Sequence, residues 1–442
     1  MCPCESVCVC GKIKTPINMS KSILLKNGRL LDPVNNIDRI GDLLIRQGRC
    51  YTAVDLPSDV QEIDVTGKWL MPGFIDLHVH LREPGEEYKE TVATGTAAAV
   101  AGGFTAVTCM PNTTPTIDSE QGIDFVLSRA RKAKLAKVYP VGAISKGSKG
   151  KEIAEFGAMQ KAGAVGFSDD GHPVTDSQLM RQALDYASNY GKPIISHSEE
   201  MALSKDGAMN EGPLATSLGL PGIPRAAEEI MVYRDLSLAA YTGQRLHLAH
   251  ISTRESVDLI RRAKAKGCLV SAETAPHYFS LTEDAIGLYD TSAKMNPPLR
   301  TADDVAAIKE GLRDGTLDAI ATDHAPHSAQ EKEVEFSSAA NGIIGLETAV
   351  PLALGLVEEG IIDENRLVEL LAVNPAMIIG VEGGSLLDGG LADITVIDPL
   401  REFTYTKEMI VSKSHNTPFI GWQFKGKAVL TLVDGRIVYN DL

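Results

Sequence analysis

Apolar and polar residues alternate in short runs at both ends of the chain. ILLKNGRLLD (23–32), DRIGDLLIRQGRC (38–50) and QEIDVT (61–66) alternate between turn signals at Asn27-Gly28 and Gln47-Gly48, which predicts half-buried strands. GLADITVIDP (390–399) and GKAVLTLVDGRIVYN (426–440) repeat the pattern near the far end. The stretch between them reads differently. Eight apolar strand candidates occur in it: GFIDLHVH, GFTAVTCMPN, AKVYPVGAIS, GAVGFSDDG, KPIISHSEE, RLHLAHIS, CLVSAETAPH and LDAIATDHAPH. Amphipathic helical segments such as SQLMRQALDYASNYG and TRESVDLIRRAKAKG separate most of them. Repeated strand–helix units imply a parallel sheet, and eight of them fit a closed (β/α)8 barrel, which takes about 250 residues. An open doubly wound sheet would carry a Gly-rich phosphate turn after its first strand, and none is present. The expected fold is therefore α/β: a TIM-like barrel over 73–378, with a small β-sandwich domain built from both ends, 20–72 and 379–442.

The stretch from Thr91 to Ile117 carries no charge and is long enough to span a membrane. Gly95, Gly102, Gly103, Pro111 and Pro115 interrupt it, so it reads as an Ala-rich helix, a glycine turn, a strand and a loop. No basic start followed by an apolar core opens the chain, and the expected location is cytoplasmic. The net charge of −15 argues against nucleic acid or an anionic membrane as partner. It leaves an anionic small molecule open, because a few local cations and metal ions override the global field. Cys50, Cys109 and Cys268 are expected to be free thiols. Cys2, Cys4, Cys8 and Cys10 crowd into residues 1–19, read as an extension ahead of the domain that opens after Met19; their C-x-C spacing is not that of a common zinc ribbon.

Metal-ligand residue types close five of the eight strand candidates: His78 and His80 the first, Asp170 the fourth, His197 the fifth, His250 the sixth and Asp323 the eighth. In a barrel all strand C-termini open on one face, so residues from position 78 to position 323 would converge on one pocket. H-x-H on a strand points both imidazoles to one side. Imidazole plus carboxylate without cysteine suits Zn2+ or a similar first-row ion. Asp169 is the weaker ligand candidate, since neighbouring strand residues face opposite ways. Arg82, two residues past H-x-H, can hold a carboxylate bidentately. His247 stands two residues before the end of its strand, and His277 could approach the pocket rim. His172, His324 and His415 read as solvent-exposed or as lying behind the ligands. The charged loop from His327 to Gly342 reads equally as a closing lid or a solvated loop.

DLHVHLREPG (76–85) and ATDHAPHSAQEK (321–332) resemble the signatures of the dihydroorotase family, of the monofunctional bacterial type. MPNTTP, GFSDDG, AHISTRES, KMNPPLR and GIIGLET resemble its intervening motifs in the same order, and the resemblance runs from about Ile23 to the C-terminus. It implies one or two Zn2+ per chain. One ion would take His78, His80 and Asp323, a second His197 and His250, with Asp170 bridging. Related hydantoinases and dihydropyrimidinases use a carboxylated lysine there; Asp169-Asp170 with no lysine favours the dihydroorotase branch.

The reaction so implied is reversible cyclisation of N-carbamoyl-L-aspartate to dihydroorotate, by a zinc-bound hydroxide with Asp323 as general base and acid. Arg82, Asn112 and His327 would hold the substrate carboxylate, while Asn296 and the backbone at Asn341-Gly342 would contact the ring. The resemblance also implies a homodimer and a possible association with aspartate transcarbamoylase. The competing readings are a hydantoinase, dihydropyrimidinase or allantoinase, and an inactive scaffold for that transcarbamoylase.

Overall fold

The computed structural model describes residues 22–52 and 56–442. The extension expected over 1–19, with its cysteine cluster, lies outside the described residues. The first strands are β1 (Ile23–Asp32), β2 (Ile37–Arg46), β3 (Arg49–Tyr51), β4 (Gln61–Asp64) and β5 (Trp69–Pro72). The central ones are β6 (Phe74–Val79), β7 (Phe104–Cys109), β8 (Lys137–Pro140), β9 (Ile194–Ser196), a short pair β10 (Met209–Asn210) and β11 (Gly222–Ile223), then β12 (Leu246–Leu248), β13 (Val270–Thr274) and β14 (Ala319–Ile320). The last are β15 (Ile394–Thr404), β16 (Gln423–Val433) and β17 (Arg436–Asn440).

The first and last described strands enter one sheet, in the order β17-β16-β15-β5-β1-β2-β3, with β4 also paired to β1. They meet at β5, which runs parallel to β1 (Arg29 opposite Trp69) and antiparallel to β15 (Ile394 opposite Pro72). Where the alternation suggested a sandwich, hydrogen bonding gives a single continuous sheet. Its inward residues, among them Leu25, Leu43, Leu70, Ile394 and Leu430, share one buried cluster. Burying such a side chain stabilises the fold by about 1.5–3 kcal/mol. Gln47-Gly48 makes the expected turn, both residues having positive φ, between β2 and β3. Asn27-Gly28 does not turn the chain. It forms a bulge within β1, where the register with β2 shifts and a Cβ on Gly28 would sit 2.0 Å from Leu70.

The central strands form two parallel sheets, β6-β7-β8 and β14-β13-β12-β9. Isolated parallel bridges join their edges. Phe167 bridges Gly142 after β8 to Ile194 of β9, and Val79 of β6 pairs with His324 after β14. The predicted fourth strand, GAVGFSDDG, is short here: it bridges at Phe167, and Val165 N and Ser168 N donate to Pro140 O and Gly142 O. The Phe167 ring stacks on Phe156 at 3.8 Å between centroids. A helix follows each of these segments in sequence, such as Arg254–Ala265, capped by Thr253 and burying Val257, Ile260 and Ala263 on one face. The uncharged stretch resolves as foreseen: helix Val92–Ala101, a turn at Gly102-Gly103, and β7. Among the described residues no helix is long and apolar enough to cross a membrane. Cys50 and Cys109 are buried free thiols, and Cys268 is half-buried.

Candidate metal centre

Side chains far apart in sequence meet at the C-terminal ends of the central strands. His78 lies in β6 and His80 just past it. Asp170 follows the Phe167 bridge, His197 follows β9, His250 lies two residues beyond β12 and Asp323 three beyond β14. All six are buried. His78 Nε2 stands 3.3 Å from Asp170 Oδ1, and His80 Nε2 3.6 Å from Asp170 Oδ2. His197 Nδ1 and His250 Nε2 each lie 3.5 Å from Asp170 Oδ1 and 2.8 Å from one another. Two groups are therefore compact enough to hold an ion, His78/His80/Asp170 and Asp170/His197/His250, and Asp170 belongs to both. Asp323 Oδ1 borders the first, 3.1 Å from His80 Nε2 and 3.6 Å from His78 Nε2.

The donor set fits a cation. His78 Nε2 and Asp170 Oδ1 are buried and have no hydrogen-bond partner. Buried polar atoms are usually paired, and two unpartnered donors facing one another beside further imidazoles suit a cation. Burial opposes ionisation of Asp170. The charge of His78 and the close approach of His197 and His250 outweigh it and hold the carboxyl well below the usual carboxylate range. Burial likewise opposes ionisation of Asp323, yet His78 and His80 hold it at about 2. Arg82, His250 and Asp323 have left-handed backbones, with φ of 58°, 35° and 48°. Each costs about 1–2 kcal/mol in a non-glycine residue, and their clustering shows backbone bent to aim side chains at one rim.

A second layer, whose carboxylates were not foreseen from the sequence, fixes which ring nitrogen His78, His197 and His80 offer. His78 Nδ1 lies 3.0 Å from Glu273 Oε1, leaving Nε2 to the centre. The other Glu273 oxygen is 3.0 Å from His247 Nε2, whose Nδ1 meets Ser271 at 2.8 Å. His197 Nε2 lies 2.9 Å from Glu199 Oε2, leaving Nδ1 inward. His80 Nδ1 lies 2.9 Å from the Asn112 carbonyl oxygen. Burial opposes ionisation of Glu273, yet its histidine partners hold it at about 2. A carboxylate that accepts from the distal N–H raises ligand basicity and locks ring orientation. Glu273→Gln is expected to weaken Zn2+ binding roughly 10- to 100-fold. Titration against a chromophoric chelator measures this, and wild-type affinity would remove Glu273 from that role. The sequence marks Glu273 only as the lone acid of a short strand candidate.

The remaining expected site residues fall around this centre. Arg82 donates from Nε to Pro326 O at 3.1 Å, and its Nη2 lies 3.2 Å from His327 Nε2. His327 Nε2 is also 2.9 Å from Asn341 O. One nitrogen cannot accept from Arg82 and donate to Asn341 at once, so the pair competes for its tautomer. Asn112 Nδ2 donates to Asp170 at 3.2 Å, and Asn296 Nδ2 to Glu199 at 3.1 Å. Gly342 N donates to Lys294 O. Asp169 accepts from Ile144 N and Ser145 N, away from the ligands. His277 is buried, and burial lowers it to about 4, so it is neutral. His324 is buried against Glu90, while His172 and His415 are exposed.

A family model described as Dihydro-orotase-like matches residues 67–256. Proteins named dihydroorotase are similar over nearly the whole chain. One from Geotalea daltonii is 54% identical over 422 residues, covering 95% of this chain and 99% of its own length. One from Syntrophotalea carbinolica is 55% identical with the same coverage. Among solved structures, the L-hydantoinase (dihydropyrimidinase) from Arthrobacter aurescens superposes with a TM-score of 0.85 at 26% identity, covering 95% of this chain and 96% of that one.

Proposed function

The chain belongs to the dihydroorotase family, and from that premise we propose how its residues carry out the reaction. It is a metal-dependent cyclic amide hydrolase that interconverts N-carbamoyl-L-aspartate and dihydroorotate in pyrimidine biosynthesis. Zn2+ suits the all-imidazole and carboxylate donor set, with one or two ions per chain. His78, His80 and Asp323 would hold one and His197 and His250 a second, with Asp170 available to both. Bound there, the metal supplies Lewis-acid activation of water and offsets charge on the attacked carbonyl oxygen.

Asp323, ionised at neutral pH, takes a proton from the water that adds to the ring amide carbonyl. The carbon–nitrogen bond then breaks, and Asp323 returns the proton to the leaving ring nitrogen. In ring closure the carbamoyl nitrogen attacks the side-chain carboxyl. Asp323 takes the nitrogen's proton and delivers it to the departing water. Arg82, Asn112 and His327 hold the spectator carboxylate, and Asn296 with the backbone at Asn341-Gly342 contacts the ring.

One observation carries this assignment. Arg82 is a buried guanidinium with no carboxylate nearer than Glu86 at 3.9 Å among the described residues. Such a group costs free energy unless an anion joins it. The parallel ladders and their bridges support a single closed (β/α)8 barrel over 73–378, flanked by the domain made from 20–72 and 379–442. A cytoplasmic homodimer, able to associate with aspartate transcarbamoylase, completes the reading. Dihydroorotate, hydantoin and allantoin are to be compared as substrates. Dihydroorotate should lead by roughly 10³-fold or more, because a site built around a carboxylate rejects ligands without one. Comparable turnover of hydantoin would sink the carboxylate assignment.

A further inference from the structure

We propose that Asn416 is a positioning residue for the substrate carboxylate pocket, delivered from the segment between β15 and β16. The inference rests on the reading of Arg82 and His327 as carboxylate anchors. Asn416 is 5% exposed. Its Oδ1 accepts from His327 N at 2.9 Å, and its Nδ2 donates to Ala325 O at 2.9 Å and Gly342 O at 3.0 Å. Its own carbonyl accepts from Ile344 N at 2.9 Å. Two carbonyls and one N–H admit only one orientation of the amide, so the side chain is specific to this place.

These bonds clamp the loop after β14 to the loop at Gly342. Gly342, at φ 156°, is pressed so close that a Cβ would lie 2.6 Å from Ala325 O and 2.7 Å from the His327 ring. His327 thereby presents its ring to Arg82, whose Nε is tied to Pro326 O within the same loop. The segment carrying Asn416 is itself anchored: Val411 N and Ser412 N donate to Glu347, and Ser414 donates to Lys89 O. Asn416 reaches neither His78, His80, Asp170 nor Asp323, so its effect should fall on substrate binding rather than on metal or proton transfer.

The test is steady-state kinetics with N-carbamoyl-L-aspartate and metal analysis on wild type, Asn416→Ala, Arg82→Met and the double variant. Asn416→Ala should raise KM about tenfold and leave kcat within about twofold, with bound metal unchanged. In the Arg82→Met background the same change should add less than about twofold, because both act through one pocket. A merely structural role gives equal losses in kcat and metal, or effects that multiply in the double variant, and either overturns the proposal. If Asn416→Ala is insoluble, Asn416→Ser carries the same test, and a wild-type KM in that variant overturns it too. An inactive wild type sinks the functional reading, and this inference with it.

Discussion

Asp323→Ala will lower ring closure of N-carbamoyl-L-aspartate by roughly 10²- to 10⁴-fold, the range that a positioned acid–base group contributes. The carboxylate is suited to both halves of the reaction. It lies 3.1 Å from His80 Nε2, at the edge of the first ligand group. It is buried yet held at about 2, so it enters the reaction ionised. Its backbone lies in the left-handed region, with φ of 48°. Asp323→Asn keeps the shape and removes the proton acceptor, and should fall nearly as far. The measurement is steady-state turnover in both directions on protein shown by circular dichroism to be folded. Undiminished turnover in either variant would end the acid–base assignment.

Asp170→Ala will deplete metal from both groups, while His250→Ala depletes one. The difference follows from sharing. Asp170 Oδ1 faces His78, His197 and His250 at 3.3, 3.5 and 3.5 Å, whereas His250 serves only the second group. Losing the only anion common to the two groups also leaves buried imidazoles without the charge that balances bound cations. Activity should drop roughly 10³-fold or more, since metal activation is worth several kcal/mol. Metal analysis after gel filtration in Zn2+-free buffer reads the outcome. Equal metal content in the two variants would contradict the shared role of Asp170, and wild-type content in His250→Ala would remove that residue from the ligand set.

The residues gathered at the candidate centre were legible because a metal site needs several donors and because strand ends on a parallel sheet share one face. H-x-H on β6 and single residues after β9, β12 and β14 stood out against apolar runs. The second layer was not legible in the same way. Glu273 meets His78 across 195 positions of sequence, and a hydrogen bond to a distal ring nitrogen leaves no periodic trace. Asn416 escaped for the same reason, since its partners Ala325, His327 and Gly342 lie in other segments. The fourth strand is short: its ladder bonds run from Val165 to Ser168, and beyond them Asp169 takes the Ile144 and Ser145 N–H groups. Asn27-Gly28 misled because glycine at that point answers a close approach to Leu70 rather than a reversal of the chain.

Everything above depends on an ion gripped by buried imidazoles and carboxylates to activate water. The most direct test is cyclisation of N-carbamoyl-L-aspartate by the purified chain before exhaustive chelation, after it, and after Zn2+ is restored. Activity should disappear with the metal and return with it, with wild type regaining more than Asp170→Ala. A metal-free chain that cyclises substrate at its original rate would contradict the account at its root.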